Sequence, residues 1–349
     1  MDKKQTLGGS PILYPAGKLP AEDLARFLMR YTQDDARVVV RPGIGRDATV
    51  ISFADRYLVA KTDPITFATD QIGWYAVHIN ANDVAAMGGT PRWFLATLLL
   101  PEGKTGADEV EAIFAQISGA CQELGVVLCG GHTEITYGLD RPIVVGQMLG
   151  EVEKEKLIIP EKARPGDEIL LTKGIAIEGT VLIVRELAEL REFFSVDWLK
   201  RCQDFLQVPG ISVVREARIA NAVAEVHAMH DPTEGGLAMA LHELAAAAGV
   251  GMWVEMEKII ILPETVLLCQ RLNLNPLGLI ASGALLIVVP QGDSTKIITA
   301  LEAEGISSAV IGRIWESEKG VKLCKPGKVE DLPYFHRDEV AKLFERGGR

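Results

Sequence analysis

The chain has 349 residues, 48% of them apolar and 24% charged, with 36 Lys+Arg against 47 Asp+Glu and a formal net charge of −11. That length predicts roughly two domains, each with its own core, and the composition excludes a disordered, collagen-like or repeat-only chain. The acidic balance argues against coating nucleic acid, which needs clustered Lys and Arg. It still allows a small anion such as ATP, because Mg2+ or a local loop reverses the field where it binds.

Cys121, Cys129, Cys202, Cys269 and Cys324 are scattered, with no CxxC pair. This argues against zinc and thioredoxin-like sites and predicts reduced core thiols in a cytoplasmic protein. The opening Met1-Asp2-Lys3-Lys4-Gln5-Thr6 has no apolar stretch of the signal-peptide kind. No run approaches the ~18 apolar residues of a membrane span, the longest candidate, Leu244 to Val254, being broken by Gly249 and Gly251.

In chain order, Pro20-Ala21-Glu22-Asp23 opens a helix with Leu24, Phe27, Leu28 and Tyr31 on one face. Strands follow at Val38–Val40, Ala48–Phe53 and Tyr57–Lys61, the last two joined by a hairpin at Asp55-Arg56. Helical spacing marks Gly73–Met87, stopped by Gly88-Gly89, and then Ala107–Leu124. Strands are expected at Trp93–Leu100, at Val126–Cys129 running into a turn at Gly130-Gly131, and at Ile143–Leu149. After a charged connector, Glu151–Lys156, a second set holds strands near Glu168–Thr172, Leu285–Val289 and Ser308–Ile314. Its helices are expected near Thr180–Leu190, Gly210–Ala224, Gly235–Ala248 and Pro263–Leu272. The implied class is α/β (α+β), divided as 1–40 lead and helix, 41–155 first domain, 156–325 second domain and 326–349 charged tail.

Acidic residues recur at element ends. Asp47 follows a Gly-x-Gly turn, Asp63 ends a strand, Asp83 sits beside Asn82 in an apolar helix, and Glu134 follows Gly130-Gly131. One such Asp is ordinarily a turn or cap residue. Several converging would make a hard-oxygen site suited to Mg2+. Three Gly-rich turns, at Gly43-Ile44-Gly45, Gly130-Gly131 and Gly235-Gly236, could each cradle phosphate, the third before an apolar helix. None is a Walker loop or a dinucleotide fingerprint. His227, His230 and His242 could be read as a metal cluster, but His227-Ala228-Met229-His230-Asp231 reads as a helix end, where capping or surface histidines are the commoner case, leaving His132 as the one with functional interest. Lys18 follows the flexible Pro15-Ala16-Gly17 and could reach a phosphate. No nucleophile arrangement is found.

These motifs, in this order, resemble the ATP-dependent superfamily of aminoimidazole ribonucleotide synthetase, selenophosphate synthetase, thiamine-monophosphate kinase and the hydrogenase-maturation carbamoyl dehydratase. The similarity runs from about Gly17 to about Ile314. Gly43-Ile44-Gly45-Arg46-Asp47-Ala48-Thr49-Val50 resembles G-x-G-D-D-A-A-V, and Thr62-Asp63 the T-D after the next strand. Asn82-Asp83-Val84-Ala85-Ala86-Met87-Gly88-Gly89-Thr90-Pro91 resembles N/S-D-x-x-x-M-G-x-x-P, and Gly130-Gly131-His132-Thr133 resembles G-G-[D/E/H]-T. Asp231-Pro232-Thr233-Glu234-Gly235-Gly236-Leu237 is similar to the dehydratase's D-P-T-x-G-G-L.

The resemblance implies Mg2+ at Asp47, Asp63 and Asp83. It implies ATP against those residues, Thr62, Asn82, Gly130, Gly131, His132, Thr133, Asp231, Gly235 and Gly236. Lys18, Asp83 and His132 would carry the chemistry. It also implies a homodimer whose first domains form an intersubunit β-barrel, an α/β sandwich as second domain, and a small-molecule or protein-bound substrate, with no nucleic acid and no membrane. The hydrogenase-maturation branch is the nearest. The alternatives are a nucleotide-binding scaffold without turnover, a thiamine-monophosphate kinase type and a selenophosphate synthetase-like enzyme. Three departures bear on the choice. Ala16 and Gly17 stand where selenophosphate synthetase places its reactive Cys. The sequence closes on Glu345-Arg346-Gly347-Gly348-Arg349 rather than Pro-Arg-x-Cys, which predicts no self-carried carbamoyl group. Arg46 replaces the first Asp of the family's pair and would set a cation near phosphate.

Overall fold

The computed structural model describes Tyr14, residues 17–66 and residues 70–346. Met1–Thr6, Pro15-Ala16 and Gly347-Gly348-Arg349 therefore lie outside the described residues. The first half runs α1 (Ala21–Tyr31), β1 (Val38–Val40), β2 (Thr49–Phe53), β3 (Arg56–Ile65), α2 (Ile72–Ala86), β4 (Thr90–Pro101), α3 (Ala107–Leu124), β5 (Val127–Thr136) and β6 (Ile143–Glu153). The second runs β7 (Glu168–Thr172), α4 (Ile177–Glu186), α5 (Val196–Asp204), α6 (Val214–Val223), β8 (Ala228–His230), α7 (Gly236–Ala248), β9 (Gly251–Glu255) and α8 (Pro263–Leu272). It closes with β10 (Leu286–Val289), α9 (Ser294–Ala303), β11 (Ser308–Trp315), β12 (Val321–Lys325), β13 (Lys328–Asp331) and α10 (Ala341–Arg346). No described helix is long and apolar enough to cross a membrane.

The first sheet has the order β1-β2-β3-β6-β4-β5, antiparallel except for β4–β5, which α3 connects as a crossover. Alternation along β6 buries Val144, Gly146, Met148, Gly150 and Val152 on one face, against α2. The other face carries the half-buried Leu95, Val145 and Leu149. The second sheet, β13-β12-β9-β11-β7-β10-β8, is a buried middle layer. Ile169, Leu171, Leu286 and Val288 pack toward α7, while Leu170, Ile287 and Val289 pack toward α6 and α9. This is the expected α/β sandwich.

Helix α2 is buried at all fifteen positions, Asn80, Asn82 and Asp83 included. A helix apolar all round belongs inside, and α2 sits between the first sheet and the second half, touching β3, β6, α6 and β8. Asn82 joins the halves there, donating to Ile211 O at 2.8 Å and accepting from Val213 N at 2.8 Å.

The turn before β2 also meets the second half. Gly45 has φ +69°, and a Cβ there would lie 2.5 Å from the Glu243 carbonyl oxygen on α7. Gly45→Ala adds left-handed strain to a backbone clash. It is expected to cost about 2–4 kcal/mol in urea unfolding, and an unchanged midpoint would show that the turn is free to lift off α7.

Candidate functional site

The turn before β2, strands β3 and β8, and helices α2 and α7 meet where α2 enters the seam. On β3, Val59, Lys61 and Asp63 alternate onto the face covered by α2. Lys61 Nζ lies 3.2 Å from Asp83 Oδ1 and 3.3 Å from Asp63 Oδ2. Asn80, one turn before Asp83, accepts from the Asp63 backbone N–H at 2.9 Å and so holds that end of β3. From the second half, β8 delivers His230 and the residue after it, Asp231. Ala228 and His230 share the face toward α7, where His230 Nε2 meets Glu243 Oε2 at 3.1 Å. Its other nitrogen, Nδ1, lies 2.8 Å from Asp47 Oδ1. Lys18 closes the rim, donating to Thr233 Oγ1 at 3.2 Å with Glu243 at 4.0 Å.

Burial and crowding of negative charge set the electrostatics. Burial opposes charge on Lys61, yet Asp83, Asp63, Asp47 and Asp231 outweigh it and the pKa rises. Burial also opposes charge on His230, and Asp47 and Glu243 overcome it, raising that pKa well above the usual imidazole range. Burial lifts Asp83 far above a normal carboxyl, Asp231, Asp63 and Asp47 adding to it against the opposing pull of Lys61. Asp231 is pushed up to about 7 by burial and by Asp47.

Asp83 Oδ2 and both carboxylate oxygens of Asp231 are buried without a hydrogen-bond partner. Such groups are costly unless something satisfies them. Ligand atoms of Asp47, His230 and Asp231 lie within 4.8 Å of one another. Hard oxygens converging in this way fit a divalent cation.

The expected residues therefore divide. Asp47, Asp63, Asp83, Asp231 and Lys18 come together. Lys61 ties Asp63 to Asp83, while Asp47 groups with His230 and Asp231 rather than with those two. Gly235 and Gly236 open α7 beside them, and the Gly235 N–H is taken by Asp338 at 2.8 Å. Asn82 spends both ends of its amide on backbone 211 and 213. Thr62 donates to Gly146 O at 2.9 Å. Arg46 pairs with Glu161 at 2.5 Å and with Arg41 O at 3.2 Å, so its charge is committed to the helical turn at Pro160–Lys162 rather than left for phosphate.

Gly130 and Gly131 form no turn. They lie inside β5, where a Cβ on Gly131 would fall 1.9 Å from Ala96 O of the neighbouring strand. The register sets His132 opposite Thr97, in the row of Val145 and Pro64 and one step out of phase with Asp63. That places it three strands from β3, about 14 Å away. Its ring is 69% exposed, with Glu134 at 3.7 Å, and Thr133 follows it on the same edge strand. Neither reaches the buried group within one protomer.

Lys61, Glu243 and Asn80 carry no signal in the sequence, and the expectation that His227 and His230 are capping or surface histidines near a helix end is corrected: both are buried, and His230 ends strand β8. His227 and His242 do not join His230, their partners being Asp167 and Leu332 O. Strand β8 is three residues long and buried throughout, so no alternation in the sequence marks His230, which faces α7 only through the pairing of β8 with β10.

Residues 45–152 match the family model for the N-terminal domain of AIR synthase related proteins, and residues 164–324 match the model for the C-terminal domain. The putative hydrogenase expression/formation protein of Methanocaldococcus jannaschii is 29% identical over 294 residues, covering 81% of this chain and 84% of that one. Carbamoyl dehydratase HypE of Azotobacter vinelandii is 30% identical over 311 residues, covering 86% and 85%. A crystal structure of hydrogenase maturation protein HypE in complex with ATP aligns with TM-score 0.69 at 23% identity, over 94% of this chain and 98% of that one.

Proposed function

The chain belongs to the AIR synthase related family, and from that membership and the buried carboxylate–lysine–imidazole group we propose an ATP- and Mg2+-dependent enzyme that activates a carboxamide-type acceptor by phosphoryl transfer. The observation that carries this reading is the set of buried, unpartnered oxygens on Asp83 and Asp231 beside two lysines. The HypE relatives are carbamoyl dehydratases, and one HypE structure holds ATP.

Asp47 and Asp231 would hold the cation, with the free oxygen of Asp83 facing the same space. When bound, the ion neutralises charge developing on the transferred group. Lys61, fixed by Asp63 and Asp83, and the more mobile Lys18 supply N–H donors and positive charge for phosphate oxygens. The group contains no Ser or Cys nucleophile, so the carboxamide oxygen attacks the γ-phosphorus and ADP leaves; loss of phosphate together with both N–H protons then turns the phosphorylated carboxamide into a nitrile, its oxygen departing on phosphate. The acceptor is a small molecule or a protein-bound carboxamide. An 18O-labelled carboxamide, incubated with ATP and Mg2+, should therefore yield 18O-labelled phosphate. Tight nucleotide binding without phosphate release would reject turnover in favour of a nucleotide-binding scaffold.

The second part of the proposal is a homodimer. The face of the first sheet away from α2 carries Leu95, Val145 and Leu149, and the edge strand β5 exposes Val127 and Ile135. Edges and apolar faces of this kind are ordinarily covered. Pairing through them would close the intersubunit barrel and carry His132 toward the partner. Val145→Arg, with its side chain on that face, is expected to give a monomer by light scattering; a dimer of unchanged strength would exclude this face. Five free cysteines and no disulfide among the described residues suit a reducing compartment such as the cytoplasm.

A further inference from the structure

We infer that His230 is a nitrogen ligand of the bound divalent cation, so that the site prefers a first-row transition ion, with Mn2+ as the probe, over Mg2+. This rests on the phosphoryl-transfer reading above and revises only the identity of its ion.

Three observations support it. First, the ring is oriented as metal-bound imidazoles are. Nε2 faces Glu243 Oε2 at 3.1 Å, while Nδ1 points to Asp47 and Asp231. A carboxylate behind one nitrogen fixes the ring so that the other faces the metal. Second, Nδ1 and Asp47 Oδ1 are 2.8 Å apart. Two ligands at right angles on an ion about 2.1 Å from each are separated by about 3 Å, so this spacing suits adjacent coordination positions once the ion displaces the proton held between Nδ1 and Asp47. Third, both Asp231 oxygens are buried with no partner, and one of them lies within 4.8 Å of the ligand atoms of Asp47 and His230. The donor set is then two carboxylates and one imidazole. Mg2+ keeps to oxygen and water, whereas Mn2+ and the later first-row ions gain from nitrogen.

Pulsed EPR on 15N-histidine-labelled full-length protein, loaded with Mn2+ and a non-hydrolysable ATP analogue, reads the bond directly. A resolved 15N coupling is expected, together with Mn2+ affinity at least ~10-fold above Mg2+ in calorimetry. His230→Asn should abolish the coupling and bring the two affinities together. Glu243→Gln should keep the coupling and weaken Mn2+ by about 10- to 100-fold. If Mn2+ and nucleotide bind but no 15N coupling appears, the inference is overturned while the phosphoryl-transfer reading stands. If neither ion supports nucleotide binding, both fall. The wild-type spectrum decides the matter even if His230→Asn does not fold.

Discussion

Lys61→Met is expected to cost about 3–5 kcal/mol of stability at pH 7.5 in the absence of metal and nucleotide, because it leaves Asp63 and the buried Asp83 without their counter-charge. The loss should depend on pH. Burial already raises the Asp83 pKa against the pull of Lys61, and without Lys61 it rises further, so the carboxyl gives up its charge more readily in the variant than in the wild type. A carboxyl whose folded pKa lies above its unfolded value destabilises the fold above the folded pKa and ceases to do so below the unfolded one. The gap between variant and wild type should therefore narrow as pH falls from the folded Asp83 pKa of the variant to that of the wild type. A divalent cation offers a second way to neutralise the same oxygens, so millimolar Mn2+ should recover part of the deficit. Urea unfolding at pH 7.5 and pH 5, with and without Mn2+, provides the check. A loss below about 1 kcal/mol would mean that the Lys61–Asp83 contact is solvated and that the group is not a dry charge cluster.

How much of this was legible in the sequence depended on whether the signal was local. Helices α2 and α3 have long apolar periods and clear stops, and Ala107–Leu124 agrees with the expectation at both ends. Strand β5 was cut short at Cys129 because a Gly pair normally punctuates. Here Gly131 is required for a different reason, the close approach of β4. The strands β8, β9, β12 and β13 are three to five residues long, too short for a period of two to stand out. The second sheet was therefore only partly foreseen.

For the site, the carboxylates were visible as acids that packing does not need, but their partners were not. Lys61 reads as an ordinary strand lysine until Asp83 arrives from α2, and Glu243 as a solvated acid on an Ala-rich helix. Arg46 looked like a phosphate cation because Glu161, its partner, lies 115 positions away. Charge pairing across such distances is a property of the fold, and it reassigned Asn82 as well, from nucleotide contact to a clasp between the halves.

Asp231→Asn is expected to separate function from stability. Asp231 is fully buried, and neither of its oxygens has a hydrogen-bond partner. Burial and the neighbouring Asp47 hold its pKa at about 7, so above neutral pH the folded protein carries a buried charge that the unfolded chain exposes to water. Holding a carboxyl near 7 rather than near 4 costs the fold at most about 4 kcal/mol at pH 8. Local relaxation leaves roughly 1–3 kcal/mol for the neutral amide to recover. The metal-free variant should accordingly be more stable than wild type at pH 8, and the advantage should vanish toward pH 4, where the wild-type carboxyl is protonated in both states. Divalent-dependent binding of an ATP analogue should fall by roughly 100-fold or more in calorimetry, since the amide offers the ion no charge. Gain of stability with loss of binding is the signature of a site whose unfavourable geometry exists for its ligand. A variant that lost stability while still binding nucleotide would reverse the assignment, making Asp231 a structural residue whose hydrogen bonds run through ordered water and placing the cation elsewhere in the seam.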